Sequence, residues 1–302
     1  MQDNQDVELL ARQLEAHPDF RVIRRLPIKD AYHAPEGKAL LKGIILDTET
    51  TGLDLKSDRV IELAMILFEY DPDSGRAYRI LEVFGELENP GTPIPPRSSA
   101  VHGITDEMVQ GKVFDDQEVA RVASDVAIVI AHNARFDRPM IEKRYPLFEN
   151  LPWACSFQEV AWKDEGFVSG GLESLSLQSG FFYDAHRAEM DCRALLELLQ
   201  RTGEDNAPFL KRLIRRSGEK DIRFWPLESP FESKDIQKAR GYRWDSDRRA
   251  WNSAVAQADL PQEVAWLRDN VYEKRPFSLE LEKTDAFNRF SARRGETEQV
   301  LY

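Results

Sequence analysis

The chain has 302 residues, 42% hydrophobic and 31% charged, and carries a formal net charge of −12. That is the composition of a globular protein: no run approaches the ~20 apolar residues of a membrane span, and the polar, acidic start from Met1 to Glu15 lacks the apolar segment of a secretory signal. Only Cys155 and Cys192 occur, too few for a disulfide framework or a zinc cage, and both fit reduced thiols in a cytoplasm, the expected location.

Residues 1–40 read as an N-terminal extension. The spacing of Val7, Leu10, Ala11 and Leu14 predicts a helix over 6–16, ended by His17-Pro18. Between Phe20 and Ile28 the chain alternates loosely and, with Lys29, gathers Arg21, Arg24 and Arg25, a basic cluster that fits either a solvated edge or a phosphate contact. Next, Ile44 to Leu46 is an apolar strand running directly into Asp47 and Glu49. Side chains at i and i+2 of a strand share a face, so the two carboxylates look one way and Thr48 the other. Unpaired, they repel and raise each other's pKa. Two hard oxygen ligands so placed favour Mg²⁺ or Mn²⁺, although Asp-x-Glu alone also fits an acidic loop.

Residues 59–70 and 78–87 are apolar runs separated by the turn Asp71-Pro72-Asp73-Ser74-Gly75, and with the first strand they predict an antiparallel meander. After a Pro/Gly-rich loop, Val101-His102-Gly103-Ile104-Thr105 leads into a helix with Thr105 as N-cap. A further helix is expected over 116–125, then a strand over 127–131 buried on both faces. That strand ends in His132-Asn133-Ala134-Arg135-Phe136-Asp137, before a helix with Pro139 in its first turn. Asp137 shares a face with Met140 and Ile141 and so points inward. A strand over 153–157, a helix over 158–162 and a helix from Leu172 follow. In the helix before residue 200, Asp191 lies on one stripe with Leu195, Leu198 and Leu199. His186 falls in the loop entering that helix, free to lean toward Asp191.

Four inward acids on three elements and one histidine form a combined signal. Hydrolysis of a phosphodiester needs an activated water, a stabilised leaving oxygen and a neutralised phosphate; two metal ions held by carboxylates supply these, and an imidazole can take the water's proton. On Asp47-Thr48-Glu49-Thr50-Thr51-Gly52-Leu53, Val101-His102-Gly103-Ile104-Thr105, His132-Asn133-Ala134-Arg135-Phe136-Asp137 and His186-Arg187-Ala188-Glu189-Met190-Asp191, the chain resembles the DEDD-type 3′–5′ exonucleases with a catalytic histidine, the group containing the proofreading (epsilon) subunit of bacterial DNA polymerase III. The resemblance covers about residues 40–202. It implies an α/β, ribonuclease-H-like fold, a mixed sheet of three antiparallel and two parallel strands flanked by helices. It implies two Mg²⁺ or Mn²⁺ ions per site: Asp47, Glu49 and Asp191 would hold the one carrying the nucleophilic water, and Asp47 with Asp137 the second. His186 would be the general base. Thr48, Thr50, Leu53 and Phe136 would bind the terminal nucleotide, and His102 and Asn133 would support the site or touch substrate.

The catalytic unit is expected over 41–205, with a small α+β accessory domain over 206–302. Residues 206–302 carry 19 Lys+Arg against 16 Asp+Glu, leaving 22 against 37 for residues 1–205. An acidic part is thus joined to a mildly basic one, a pattern of nucleic-acid partners. A polar connection with a short basic helix over 211–216 leads in. A strand over 223–225, a helix over 234–240, a hairpin over 242–252, a helix over 263–272 and a last strand over 277–281 then follow. Trp225, Tyr242, Trp244 and Trp251 interleave with Arg240, Arg243, Arg248 and Arg249; the aromatics fit either base stacking or the core of a small domain. The function expected is 3′–5′ hydrolysis of DNA, as single strands or 3′ ends, in replication or repair, releasing nucleoside monophosphates. An exoribonuclease of the same mechanism is the alternative, since the contact at the 2′-OH is not identifiable. A non-catalytic nucleic-acid-binding or polymerase-docking subunit has no need of four buried carboxylates.

Overall fold

The computed structural model of the chain describes residues 2–34 and 37–302, with side chains from Asp6 on. Met1, Pro35 and Glu36 of the expected extension lie outside the described residues. Five strands, β1 (Leu41–Thr50), β2 (Val60–Tyr70), β3 (Ala77–Leu87), β4 (Ile128–Ala131) and β5 (Trp153–Cys155), form one sheet in the order β3-β2-β1-β4-β5. The pairs within β1–β3 are antiparallel, and β1–β4 and β4–β5 are parallel. This is the ribonuclease-H-like mixed sheet expected from the sequence.

Helices cover both faces, which is why β4 is apolar throughout. The named helices are α1 (Gln2–Glu15), α2 (Pro96–His102), α3 (Asp116–Val122), α4 (Ala134–Arg144), α5 (Leu172–Gln178), α6 (Ala188–Leu199) and α7 (Phe209–Ser217). Strand parity sorts the core: Ile44, Leu46 and Met65 pack with Met140 and Ile141 of α4, while Ile45, Ala64 and Ile66 pack with Cys192, Leu195 and Leu199 of α6. One detail of register positions the site. β4 pairs with β1 only at Gly43, Ile44 and Ile45, so the edge of β1 toward β4 is open from Leu46 onward.

Several local expectations shift. The helix carrying Asp137 starts at Ala134, which places Pro139 in its interior rather than its first turn. The fifth strand stops at Cys155 and a short helix occupies Ser156–Glu159, because the Cys155 N–H donates to the Glu159 carboxylate at 2.8 Å. The basic helix read as part of a polar connection is α7, and its Phe209, Leu210 and Leu213 are buried in the α6-side core.

A second sheet follows: β6 (Asp221–Pro226), β7 (Arg243–Asp245), β8 (Ala250–Ala256), β9 (Ser278–Thr284) and β10 (Thr297–Leu301), antiparallel throughout in the order β10-β9-β6-β8-β7. The expected hairpin is β7–β8; β10 is a strand the sequence pattern missed. With α8 (Lys234–Ala239) and α9 (Leu260–Asn270), this sheet builds its own core around Phe224, Tyr242, Leu267 and Leu279.

The segment after β9 returns to the first sheet. Phe290 joins the α4-side core, and the Trp153 N–H donates to the Ala286 carbonyl at 2.8 Å. Arg138 of α4, 0% exposed, donates to the carbonyls of Ala286 (3.0 Å), Arg289 (2.8 Å) and Phe287 and pairs with Glu142 (2.6 Å). Removing one member of a buried pair strands the other charge. Arg138→Met is therefore expected to lower the unfolding free energy by about 3–5 kcal/mol in denaturant titrations. A loss under ~1 kcal/mol, the range of an exposed pair, would show that this guanidinium does not tie the sheets together.

Candidate active site

β1 continues as a strand through both of its carboxylates, so Asp47 and Glu49 share the α6 face and Thr48 turns to the α4 face. From α6, Asp191 meets them: ligand oxygens of Asp47, Glu49 and Asp191 lie within 4.8 Å of one another. Asp137 arrives from α4 on the opposite side of the strand. Its Oδ1 accepts the Thr48 N–H at 3.2 Å and the Thr48 hydroxyl at 2.8 Å, taking the place of the strand missing at the open edge of β1. Three of the four acids thus form one cluster, and Asp137 sits beside it, held by Thr48.

The cluster is starved of positive charge. Burial, then Asp137, Asp191 and Glu49, hold the Asp47 carboxyl well above the usual range. Burial followed by Asp191 and Glu62 pushes Glu49 up to about 8. Burial raises Asp137 to about 7, against the two Thr48 hydrogen bonds that lower it. Asp191 is raised by burial despite the Tyr183 hydroxyl at 2.8 Å and the nearby His186, which lower it. Carboxylates crowded in this way fit a divalent cation with oxygen ligands; Asp47, Glu49 and Asp191 are the residues that would hold it.

A fifth acid belongs to this corner. Glu62 lies directly across the β1–β2 ladder from Glu49. Two like charges opposite each other destabilise a ladder, and Glu62 is compensated from the loop before α6. It accepts Arg187 Nη2 at 2.9 Å and the Ala188 N–H at 3.1 Å. The same loop donates the Arg187 N–H to Asp191 Oδ2 at 3.1 Å. His186 immediately precedes these anchors, exposed, with a φ of 63°. That left-handed backbone is unusual for a non-glycine residue, and the clasp at Arg187 and Ala188 fixes the chain directly after it. Glu62 was hidden in an apolar run; its signal was the cross-strand parity with Glu49.

Beside the acids opens a cleft of about 700 Å³ lined by Thr48, Glu49, Thr50, Leu53, His102 and Phe136, and also by Arg97, Ser98, Val101, Asp54 and Asp58. Leu53 projects into solvent at 81% exposure. His102 is buried, its Nδ1 accepts the Ile104 N–H at 3.0 Å, and its Nε2 has no hydrogen-bond partner among the described residues. Arg97, an exposed cation on α2 with no ion pair among the described residues, was not singled out from the sequence. Asn133 stands at the start of α4, exposed and outside the cleft lining. Its neighbour His132 is fixed by Ser156 and the Gly170 carbonyl, both at 2.8 Å, and burial lowers it to about 4.

The C-terminal arginines divide. Arg240 makes a bidentate pair with Glu263 and lies 4.2 Å over Trp266, and Arg248 pairs with Glu280 and lies 4.0 Å over Trp225. Arg243 and Arg249 are exposed, with no ion pair among the described residues. Trp225 and Tyr242 are buried, whereas Trp244 is 54% exposed.

Residues 44–199 match the family model described as exonuclease. The DNA polymerase III subunit epsilon of Treponema pallidum (strain Nichols) is 31% identical over 165 residues, 50% of this chain and 72% of that protein. The 3′-5′ exonuclease DinG of Bacillus subtilis (strain 168) is 28% identical over 193 residues, 58% of this chain but 19% of the relative. The solved structure of exonuclease X in complex with 5′ overhanging duplex DNA is 23% identical and covers 56% of this chain and 99% of that one, with a TM-score of 0.39.

The raised carboxylates set a stability trend. A group that binds its proton more tightly folded than unfolded loses stabilisation as pH rises through its folded value. Glu49 and Asp137, at about 8 and about 7, act in this sense. His132, at about 4 when folded, pulls the other way, but only below its unfolded value of about 6.5. In EDTA, thermal midpoints are therefore expected to fall between about pH 6.5 and 8.5, and added Mn²⁺ to lessen the fall. A flat or rising midpoint in EDTA over that window would show that the acids are not crowded when metal-free.

Proposed function

The chain belongs to the DEDD-type 3′–5′ exonuclease family, and we propose that it degrades DNA, engaged as a single strand at its 3′ end, releasing nucleoside monophosphates. The observation that carries this reading is the convergence of Asp47, Glu49 and Asp191, with Asp137 behind them and His186 at the rim. Two divalent ions, Mg²⁺ or Mn²⁺, would neutralise the phosphate and acidify the attacking water. Asp47, Glu49 and Asp191 would hold one, and Asp47 with Asp137 the other.

The protein's own groups do the rest. His186, exposed beside Asp191, takes the proton of the attacking water. Asp191 and Glu62 orient the loop that presents it. Thr50, Leu53 and Phe136 receive the terminal sugar and base, with Leu53 free to pack on a base because it packs on little else. Thr48 fixes Asp137, His102 supports the cleft wall, and Arg97 is placed to meet phosphate. Asn133, exposed at the helix start and making no side-chain cap there, is available to support the site or touch substrate. The second sheet is an accessory domain that adds phosphate contacts through Arg243 and Arg249, while Arg240 and Arg248 are spent on internal pairs. No described helix is long and apolar enough to cross a membrane, and the two buried free thiols support a reducing compartment, the cytoplasm.

Matched 3′-labelled and 5′-labelled DNA and RNA strands, digested with Mg²⁺ or Mn²⁺ and resolved on gels, test this reading. DNA shortened from the 3′ end to mononucleotides is expected; cleavage from the 5′ end, or of RNA alone, would contradict it. Asp47→Asn and Asp191→Asn should abolish hydrolysis without unfolding the chain, since each removes one of several repelling charges. Turnover within tenfold of the parent in either variant would dismiss the assignment. His186→Ala should bind the strand but lose about 10²–10⁴-fold in kcat; an undiminished rate would mean that the base lies elsewhere.

A further inference from the structure

A second cleft, of about 390 Å³, opens where the two sheets meet. From the first unit it is lined by Leu55, Arg135 and Pro139; from the second by Arg223, Trp225, Arg243, Trp244 and Arg248, among others. The two clefts share no lining residue but meet along two chain segments. Leu53 and Asp54 line the active cleft and Leu55 this one; Phe136 lines the active cleft and Arg135 this one.

Its charges do not balance internally. Arg223 pairs with Glu282 at 3.2 Å, and Glu282 also accepts the Gly295 N–H. Asp245 is occupied by Trp225 Nε1 at 3.0 Å and by the backbone N–H groups of Asp247 and Arg248. Arg248 is taken by Glu280, and Arg293 by Glu142 and Glu149. Arg135, Arg243 and Arg294 are left without a carboxylate partner among the described residues, against one lining carboxylate, Asp247, that also has none. Arg135 feels the excess: burial, then Arg243, then Arg223, push its guanidinium below the usual arginine range. Cations from two separately folded sheets that face each other without a counter-ion repel, and an anion between them removes the repulsion. Above them stands Trp244, half-exposed and braced edge-on against Trp251 at 5.6 Å.

We infer that this inter-sheet cleft is a phosphodiester-binding site that holds the nucleic-acid strand upstream of the hydrolysed end, Arg135 and Arg243 meeting the phosphates and Trp244 stacking on a base. The inference rests on the nuclease reading above and adds a subsite to it. Backbone phosphates beside a stacked base are the chemistry of a single strand. The juxtaposition also gives the segment after β9 a purpose: by docking the second sheet on α4 it brings Arg243 to Arg135.

The test compares the full chain with its Arg135→Gln, Arg243→Gln and Trp244→Ala variants, each checked for folding by circular dichroism. Poly-dT is the long substrate; the p-nitrophenyl ester of thymidine 5′-monophosphate, which has one phosphodiester, reports the active cleft of the parent alone. Each arginine variant is expected to raise KM for poly-dT about tenfold, the size of a lost charged hydrogen bond, with the loss in KM rather than kcat. Its log–log salt slope should become shallower by about 0.7 per lost contact. Trp244→Ala should raise KM about fivefold or more while keeping the slope, since stacking carries no charge. A parent that hydrolyses neither substrate would overturn the nuclease reading and this inference with it. A parent active on both, with KM and salt slope for poly-dT unmoved by Arg135→Gln and Arg243→Gln, would overturn this inference alone.

Discussion

Everything in this molecule is arranged around negative charge held out of water at the unpaired end of one strand. β1 carries Asp47 and Glu49 past the point where β4 stops, so the acids are laddered to β2 on one side and lie at an opening in the sheet on the other. α6 closes that opening from one face with Asp191, and α4 from the other with Asp137. The apolar remainder of each element, Ile44 to Leu46 on the strand and the buried stripes of α4 and α6, fixes the acids against their mutual repulsion. Burial is the leading cause of every raised carboxyl in the cluster. The corner is therefore left with excess negative charge, which cations filling it would relieve.

Neutralisation is handled differently just outside. Glu62 faces Glu49 across the ladder but is satisfied by Arg187 and the Ala188 N–H. The same contacts shape the loop that presents His186 in a left-handed backbone. One electrostatic repair thus doubles as a positioning device. The junction with the second sheet follows the same economy: Arg138, Glu142, Glu159 and Arg289 are buried charges, each matched by a partner, and they weld the second sheet to the back of α4 and β5. Only at the cleft side of that junction are cations left unmatched.

Much of this was legible in the sequence because the relevant periodicities are short. Parity along β1 gave the shared face of Asp47 and Glu49, and helical spacing gave the inward turn of Asp137 and Asp191. What was not legible depended on partners distant in sequence. Glu62 sits in a strand so apolar that nothing marked its carboxylate until register set it opposite Glu49. Arg97 lies in a seven-residue helix, Pro96–His102, whose Pro-rich approach read as loop. β10, Thr297–Leu301, is an edge strand exposed along most of its length, so it carries no apolar alternation to betray it. The basic helix α7 looked like a linker because its basic residues equal its apolar ones in number, yet three of the latter suffice to bury it. Pairing decided the arginines: Arg240 and Arg248 had carboxylates and indole rings waiting, and Arg243 and Arg249 did not.

The central claim, that the acids at the open end of β1 are a divalent-cation site held in readiness, is tested most directly by calorimetric titration of Mn²⁺ into the full chain near neutral pH, in two buffers of different ionisation enthalpy. Glu49 at about 8 and Asp137 at about 7 carry protons there when metal is absent. Saturable binding of two ions should therefore release protons, seen as a buffer-dependent heat. Heats that do not saturate, or saturable binding with no proton released, would contradict the account.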